Sequence, residues 1–377
     1  GALGPLRVVL ASCQRWDHGH FAAWRQATAD TPDLVLFVGD YIYEYGRVAG
    51  RVREHTGTRL RTLADYRERY ALYQSDPLLQ AAHAAAPWIV TWDDHEVEND
   101  HAAWQAQDLD PAFPAVRVAA YQAYWEHMPL PKSLRPREGV LPLYGAFDWG
   151  ALGRLLVLDD RQYRDPQACP RPGRGGSATV RVADCAALAA PERSLLGHDQ
   201  ERWLAGAWRA DAPWNLLVQQ TLMARFSWQD PAGPTGASAW NDGWDGYPAS
   251  RERLLREVAQ RRVPGVLVLG GDVHAHYAAD LRVDATGQTG PVVATEFCGT
   301  SISSDGLPQS RLDKVLPFNP HIRFGRSDLR GYVRLDLAPQ RATARLMAVE
   351  DVKRADSTVH EAARFEVDPR EPGVRPA

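Results

Sequence analysis

The chain reads as short apolar runs punctuated by polar turns. Runs at 7–12, 34–39, 87–92, 154–159, 214–220, 265–271, 292–297, 331–337 and 342–348 are mostly rich in Val, Leu and Ile, which predicts strands. Helices are expected at 18–29, 61–74, 114–127, 198–210 and 249–262, the second opened by Thr62 and Asp65 at capping-box spacing. Strand, helix and strand within residues 5–40 form a βαβ signature, so the expected fold class is α/β. The last two runs look like a hairpin that extends or closes a sheet. No Ser/Gly- or Pro-rich linker divides the chain and no internal repeat occurs. One domain over 1–366 is therefore expected, with the Pro- and Arg-rich residues 367–377 as a flexible tail.

Composition narrows the function classes. Over 377 residues, a hydrophobic content of 45% and a charged content of 24% are globular values, and the length allows a sizeable core. A net charge of −4 supplies no basic stripe for a stable nucleic-acid complex, yet does not exclude a small phosphorylated substrate. No apolar run approaches the roughly 20 residues that span a bilayer. The opening GALGPLRVVLASC enters its first strand almost at once, without a signal peptide, which suits a processed or truncated product. Cys169 and Cys185 flank an Arg/Gly/Pro-rich loop, whose character favours a disulfide and an oxidising compartment over two unpaired thiols. The 13 Trp are many for this length; most are assigned to packing and a minority to lining a cleft.

The chemistry lies where the apolar runs end. ASCQRW, VGDYIYEY, TWDDHEVEND and LGGDVHAH each place metal-ligand types just after a strand-like run, and open α/β sheets bind ligands outside the carboxyl ends of their strands. Asp40 and Tyr43 stand three residues apart; a carboxylate bridges cations well, and a phenolate calls for a highly charged ion. For Cys13 a metal thiolate is favoured over a buried core thiol or a nucleophile that would need a His base. TWDDHEVEND packs six ionisable side chains into residues 93–100, which cannot all ionise together unless solvated or neutralised by cations. Asp94 is read there as a metal ligand, Asn99 as an extra oxygen ligand and Asp93 as a supporting or additional one. His95 is placed to bond a phosphoryl oxygen or protonate a leaving group. Asp272 and His274, two apart on an extended segment, share a face after two glycines, while His276 is a rim position. Arg161, in LLVLDDRQYRDP, is offered to phosphate oxygens, the alternative being a structural ion pair. Asp242, Trp244, Asp245 and Tyr247 are read as capping the helix that follows rather than lining the cleft.

Taken in order, SCQRW, GDYIYEYG, WDDHEVEND, AYQAYWEHMP, LDDRQYRD, LGHDQERWL, QQTLMA, WDGYPASRERLL, GGDVHAH and EFCGTSISS resemble the PhoD-type alkaline phosphatase/phosphodiesterase family. That family is itself similar to purple acid phosphatases and calcineurin-like metallophosphoesterases. The resemblance implies a four-layer αββα sandwich carrying a metallophosphoesterase domain, an iron(III) ion held partly by Cys and Tyr, and one or two calcium ions nearby. It also implies a secreted or periplasmic protein exported by the twin-arginine route. Carried over, Cys13, Tyr43 and His274 resemble the iron ligands, Asp40 the bridge, and Asp94 and Asp272 ligands of the second metal. Two departures stand out. The β-sandwich domain that many relatives carry before the first catalytic motif is absent or removed here, and VQQTLMA offers Gln219 or Gln220 where purple acid phosphatases have a His. An oxygen-ligated second ion such as calcium is thereby favoured over zinc. The activity implied is hydrolysis of small phosphate monoesters, with diesterase activity, by metal-activated hydroxide. A dedicated phosphodiesterase acting on phospholipid head groups or nucleic acid comes second, and a binding module without turnover third.

Overall fold

In a computed structural model, which describes residues 4–284 and 286–377, the apolar runs form two seven-stranded sheets. In chain order the strands are Leu6–Ala11 (β1), Leu34–Val38 (β2), Trp88–Thr91 (β3), Gly145–Trp149 (β4), Gly153–Val157 (β5), Thr179–Arg181 (β6), Trp214–Val218 (β7) and Ser238–Trp240 (β8). They continue with Val266–Gly270 (β9), His276–Arg282 (β10), Val292–Cys298 (β11), Ile322–Arg326 (β12), Arg330–Ala338 (β13), Arg341–Val349 (β14), Val359–Asp368 (β15) and Glu371–Pro376 (β16). The first sheet has the order β16-β15-β14-β13-β1-β2-β3 and the second β12-β10-β11-β9-β7-β5-β4, while β6 and β8 make a separate ribbon. Within them β1-β2-β3 and β5-β7-β9-β11 are parallel, so the loops leaving those strands emerge on one edge of each sheet.

Strand periodicity explains the layering. Successive side chains point to opposite faces, and both faces of these strands are apolar. In β1, Leu6, Val8 and Leu10 join a core shared with Leu267, Leu269, Leu216 and Val218 of the other sheet. The alternate residues Val9 and Ala11 turn outward to a second core with Trp24, Tyr66, Tyr70 and Tyr121. Those belong to Ala23–Ala29 (α1), Leu63–Gln74 (α2) and Phe113–His127 (α4), which cover the first sheet together with Pro77–Ala85 (α3). On the second sheet Leu217, Val266 and Val268 face outward to Leu204 of His198–Ala207 (α5) and Leu254, Leu255 and Val258 of Pro248–Arg261 (α6). Helix, sheet, sheet and helix follow in that order, the αββα sandwich expected.

Each predicted strand is present to within a few residues, and the Thr62–Asp65 capping box forms. The first helix is shorter than expected, because Trp16–His18 is a separate 3-10 turn. The tail is a correction: residues expected to be flexible form β16, which pairs antiparallel with β15. The amide of Gly373 donates to Thr295 Oγ1 at 2.8 Å and that of Val374 to Asp280 Oδ1 at 2.8 Å, tying this strand to the second sheet. β16 is an edge strand, where prolines such as Pro372 and Pro376 are tolerated, so composition alone misread it. Cys169 and Cys185 are joined as a disulfide with Cα atoms 6.1 Å apart. Among the described residues no helix is long and apolar enough to cross a membrane.

Candidate functional site

Loops leaving β1, β2, β3, β5, β7, β9 and β11 converge between the two sheets. The backbone there is unusual: Cys13, Asp40, Asp100, Asp272 and His274 all have φ between 51° and 65°. Non-glycine residues in the left-handed region cost free energy and persist only where their surroundings hold them, often at functional sites. The hold is visible. Cys13 N donates to Gly39 O at 3.1 Å, and Glu96 accepts the amides of Asp40 at 3.0 Å, Tyr41 at 2.6 Å and Asp93 at 2.9 Å. Gly39, at φ 107°, is required, because a Cβ there would lie 2.4 Å from that of Asp93.

Two overlapping groups result. Ligand atoms of Cys13, Asp40 and His274 lie within 4.8 Å of one another, as do those of Asp40, Asp94 and His95. Asp40 therefore belongs to both, the position of a bridge. Tyr43 joins the first group, with its hydroxyl 2.8 Å from Asp40 Oδ2 and 3.4 Å from His274 Nε2. Ser304 Oγ lies 2.7 Å from the same hydroxyl. His274 Nδ1 donates to the carbonyl of Asp305 at 2.6 Å, leaving Nε2 as the donor atom toward the group. Asp272 stands alongside, its carboxylate accepting from Thr221 Oγ1 at 2.7 Å.

Burial makes this concentration of acids costly. It pushes the Cys13 thiol and the Tyr43 phenol well above their usual ranges, with the Asp40 charge adding to both. The Asp40 and Asp272 carboxyls are raised as well, by burial and by their acidic neighbours. Such a set holds its protons unless cations replace them. The donor chemistry, a thiol, a phenol, an imidazole and several carboxylates, fits a hard trivalent ion beside an oxygen-ligated divalent one.

His95 lies against the Tyr43 ring, with centroids 4.2 Å apart, and its Nδ1 is 2.8 Å from Glu44 Oε2. Burial alone would lower its pKa, but the charges of Asp94, Glu44 and Asp40 raise it well above the usual range.

Other residues singled out in the sequence stand in the shell around these groups or apart from them. Arg161 is not presented as a free fork: its Nε is 2.5 Å from Asp93 and its Nη1 2.8 Å from Asp242, with Nη2 3.9 Å from Asp94. Buried among three carboxylates, the guanidinium neutralises them instead of offering two donors to a phosphate. Asn99 turns its amide to Tyr45 and Gln107, at 3.0 and 3.1 Å. Its neighbour Asp100 instead joins Asp94 and Asp242 in a third group of ligand atoms within 4.8 Å. Asp242 was expected to cap a helix, yet it is buried in this shell between Arg161 and Arg164. Neither Gln219 nor Gln220 faces the ligand groups. Gln219 bonds to Thr221 and Trp244, Gln220 to Thr91, Leu158 and Asp160, and the segment contributes Thr221 instead. His276 is structural, with Nδ1 accepting from Thr300 N at 3.2 Å and Nε2 donating to Met347 O at 3.1 Å.

The PhoD-like phosphatase family model matches residues 8–346. Alkaline phosphatase D of Bacillus subtilis (strain 168) is 41% identical over 382 residues, covering 98% of this chain, which spans 63% of that relative's length. A solved structure of PhoD superposes with a TM-score of 0.91 at 38% identity, over 100% of this chain and 72% of that one. The purple acid phosphatase PPD1 from yellow lupin (Lupinus luteus) seeds shares the fold, with a TM-score of 0.56 at 13% identity over 97% of this chain and 54% of that one. The chain belongs to the PhoD-like phosphatase family.

Proposed function

We propose that the protein is a metal-dependent phosphoesterase of the alkaline phosphatase type, hydrolysing phosphate monoesters and also diesters. The observation that carries this reading is the buried meeting of Cys13, Asp40, Tyr43 and His274 with Asp94 and His95 through a shared Asp40. Cys13, Tyr43, His274 and Asp40 would hold Fe3+, and Asp40, Asp94 and Asp272 would hold Ca2+, with the shell of Asp93, Asp100 and Asp242 around them. When bound, these ions supply Lewis-acid activation of water and neutralise phosphate oxygens.

The chain's own residues do the rest. His95, with Nδ1 engaged by Glu44, would present Nε2 to hold a phosphoryl oxygen or, when protonated, to protonate the departing alkoxide. Arg161 keeps the carboxylate shell in place and limits its repulsion. The chain is read as one catalytic domain that includes β16, and the Cys169–Cys185 disulfide favours a secreted or periplasmic setting. A dedicated diesterase is the second reading, favoured by a broad cleft of about 940 Å³ bordered by Trp228, Trp240 and Trp244 beside Asp272 and His274.

The test is metal analysis of gently purified protein, joined to turnover of matched phosphate mono- and diesters before and after chelation. Iron with calcium and chelator-sensitive hydrolysis are expected, and the rate ratio chooses between the two substrate classes. Protein that stays inactive after reconstitution with both ions would overturn the reading.

A further inference from the structure

The same cleft has a composition that phosphate chemistry does not require. Asp272 and His274 form part of its floor. Its walls are apolar and come from three places: Leu222, Phe226 and Trp228 after β7, Tyr277 of β10, and Leu307 after β11. Phe226 meets Trp228 edge-on at 4.8 Å and Tyr277 at 5.9 Å, so the rings brace one another as a wall. Leu307 is 36% exposed and Trp228 is half-buried, so apolar surface remains open to a visitor. Exposed Arg311 and Lys314 border the cleft, the Arg311 guanidinium 5.9 Å from the Trp228 ring.

We propose that this cleft receives the organic substituent of the phosphate ester, and that the protein prefers esters of aromatic or bulky apolar alcohols to those of small polar ones. The inference rests on the phosphoesterase reading, since it needs the phosphate held beside Asp272 and His274. A phosphate fixed there sends its substituent along the adjoining wall, where leaving water for an aromatic surface is favourable in proportion to the area covered. A small alcohol such as glycerol would leave Trp228 and Leu307 wet. The rim cations attract the anionic ester during approach without specifying its substituent.

The test uses phosphonates, which carry a single organic group and are not hydrolysed. Protein loaded with iron and calcium is titrated calorimetrically with 1-naphthylmethylphosphonate, methylphosphonate and inorganic phosphate. The naphthyl compound is expected to bind about tenfold more tightly than the methyl compound, equivalent to about 1.4 kcal/mol. Trp228→Ala should abolish most of that ratio, and Leu307→Ser, at an exposed position, should reduce it, with phosphate affinity changing less than twofold in each. Retained phosphate binding shows that a variant is folded. Equal binding of the two phosphonates to the native protein, or an unchanged ratio in both variants, overturns the inference while phosphate binding leaves the parent reading standing. Failure of all three anions to bind overturns both.

Discussion

Replacing Glu44 by Gln tests the acid assigned to catalysis without touching a proposed metal ligand. Glu44 is buried, accepts the Asn99 amide at 3.0 Å and lies 2.8 Å from His95 Nδ1. Two unit charges about 4 Å apart interact by ~4 kcal/mol at an effective dielectric of about 20. Gln keeps an acceptor, so the net loss expected is that of one charge-assisted bond, about 1.5–3 kcal/mol. That corresponds to about 10- to 100-fold in kcat. The sign of the pH effect follows from the direction of the His95 shift. Asp94, Glu44 and Asp40 raise its pKa, and activity that needs the imidazolium is lost as pH rises through that value. Removing the Glu44 charge therefore moves the alkaline limb of the kcat profile to lower pH. The leaving group supplies the discriminating assay: a poor one such as an alkoxide needs the proton, whereas 2,4-dinitrophenolate does not. The penalty should be large on an alkyl phosphate and small on 2,4-dinitrophenyl phosphate. Equal penalties on both, or an alkaline limb that does not move, would refute the acid role of His95.

Tyr43→Phe removes the hydroxyl that sits 2.8 Å from Asp40 and 3.4 Å from His274; the phenolate-to-iron component of the visible charge-transfer absorption should be lost, leaving only that of the Cys13 thiolate, and a spectrum unchanged from the native protein removes Tyr43 from the ligand set. Replacing Cys169 and Cys185 together by Ser opens a cross-link spanning 16 residues, which the chain-entropy relation values at about 3 kcal/mol; an unchanged urea midpoint would contradict a stabilising disulfide. Ending the chain after Asp368 strips β16 and leaves Asp280 Oδ1 without the Val374 amide. With the lost Val374 burial, a fall of about 2–4 kcal/mol is expected, read from denaturant unfolding, and no fall would return the tail to the flexible state that its composition suggests.

What the sequence makes legible here follows contact range. The parallel strands and the ligand types just beyond them are visible because each segment carries its own information: an apolar run, then a turn with Asp, His, Cys or Tyr. The groups that tune those ligands come from distant stretches. Glu44 and His95 are 51 residues apart, and Arg161 and Asp242 are 81 apart. Arg161 read alone is a phosphate anchor; beside Asp93 and Asp242 it is an internal counter-ion. Asp242 read alone is a helix cap, because nothing local announces the two arginines that will enclose it. β16 shows the same limit for the fold, since its place depends on Asp280 and Thr295, which lie more than 70 residues earlier.

The Gln219–Gln220 pair carries that reasoning one step further. By position this segment offers amides to a second ion, yet both amides are buried and occupied by neighbours, and Thr221 reaches Asp272 instead. The proposed oxygen-ligated second ion does not need either Gln as a ligand. The oxygens around Asp40 and Asp94 belong to a cluster already crowded with carboxylates, of which Asp93 and Asp100 are each pushed up to about 6 by burial, Asp93 against the pull of Arg161. A divalent ion that accepts many oxygen ligands in flexible geometry relieves that crowding better than one that prefers four nitrogen or sulfur donors. The proposal of calcium therefore rests on the acidic shell as a whole rather than on the residue that replaced one histidine.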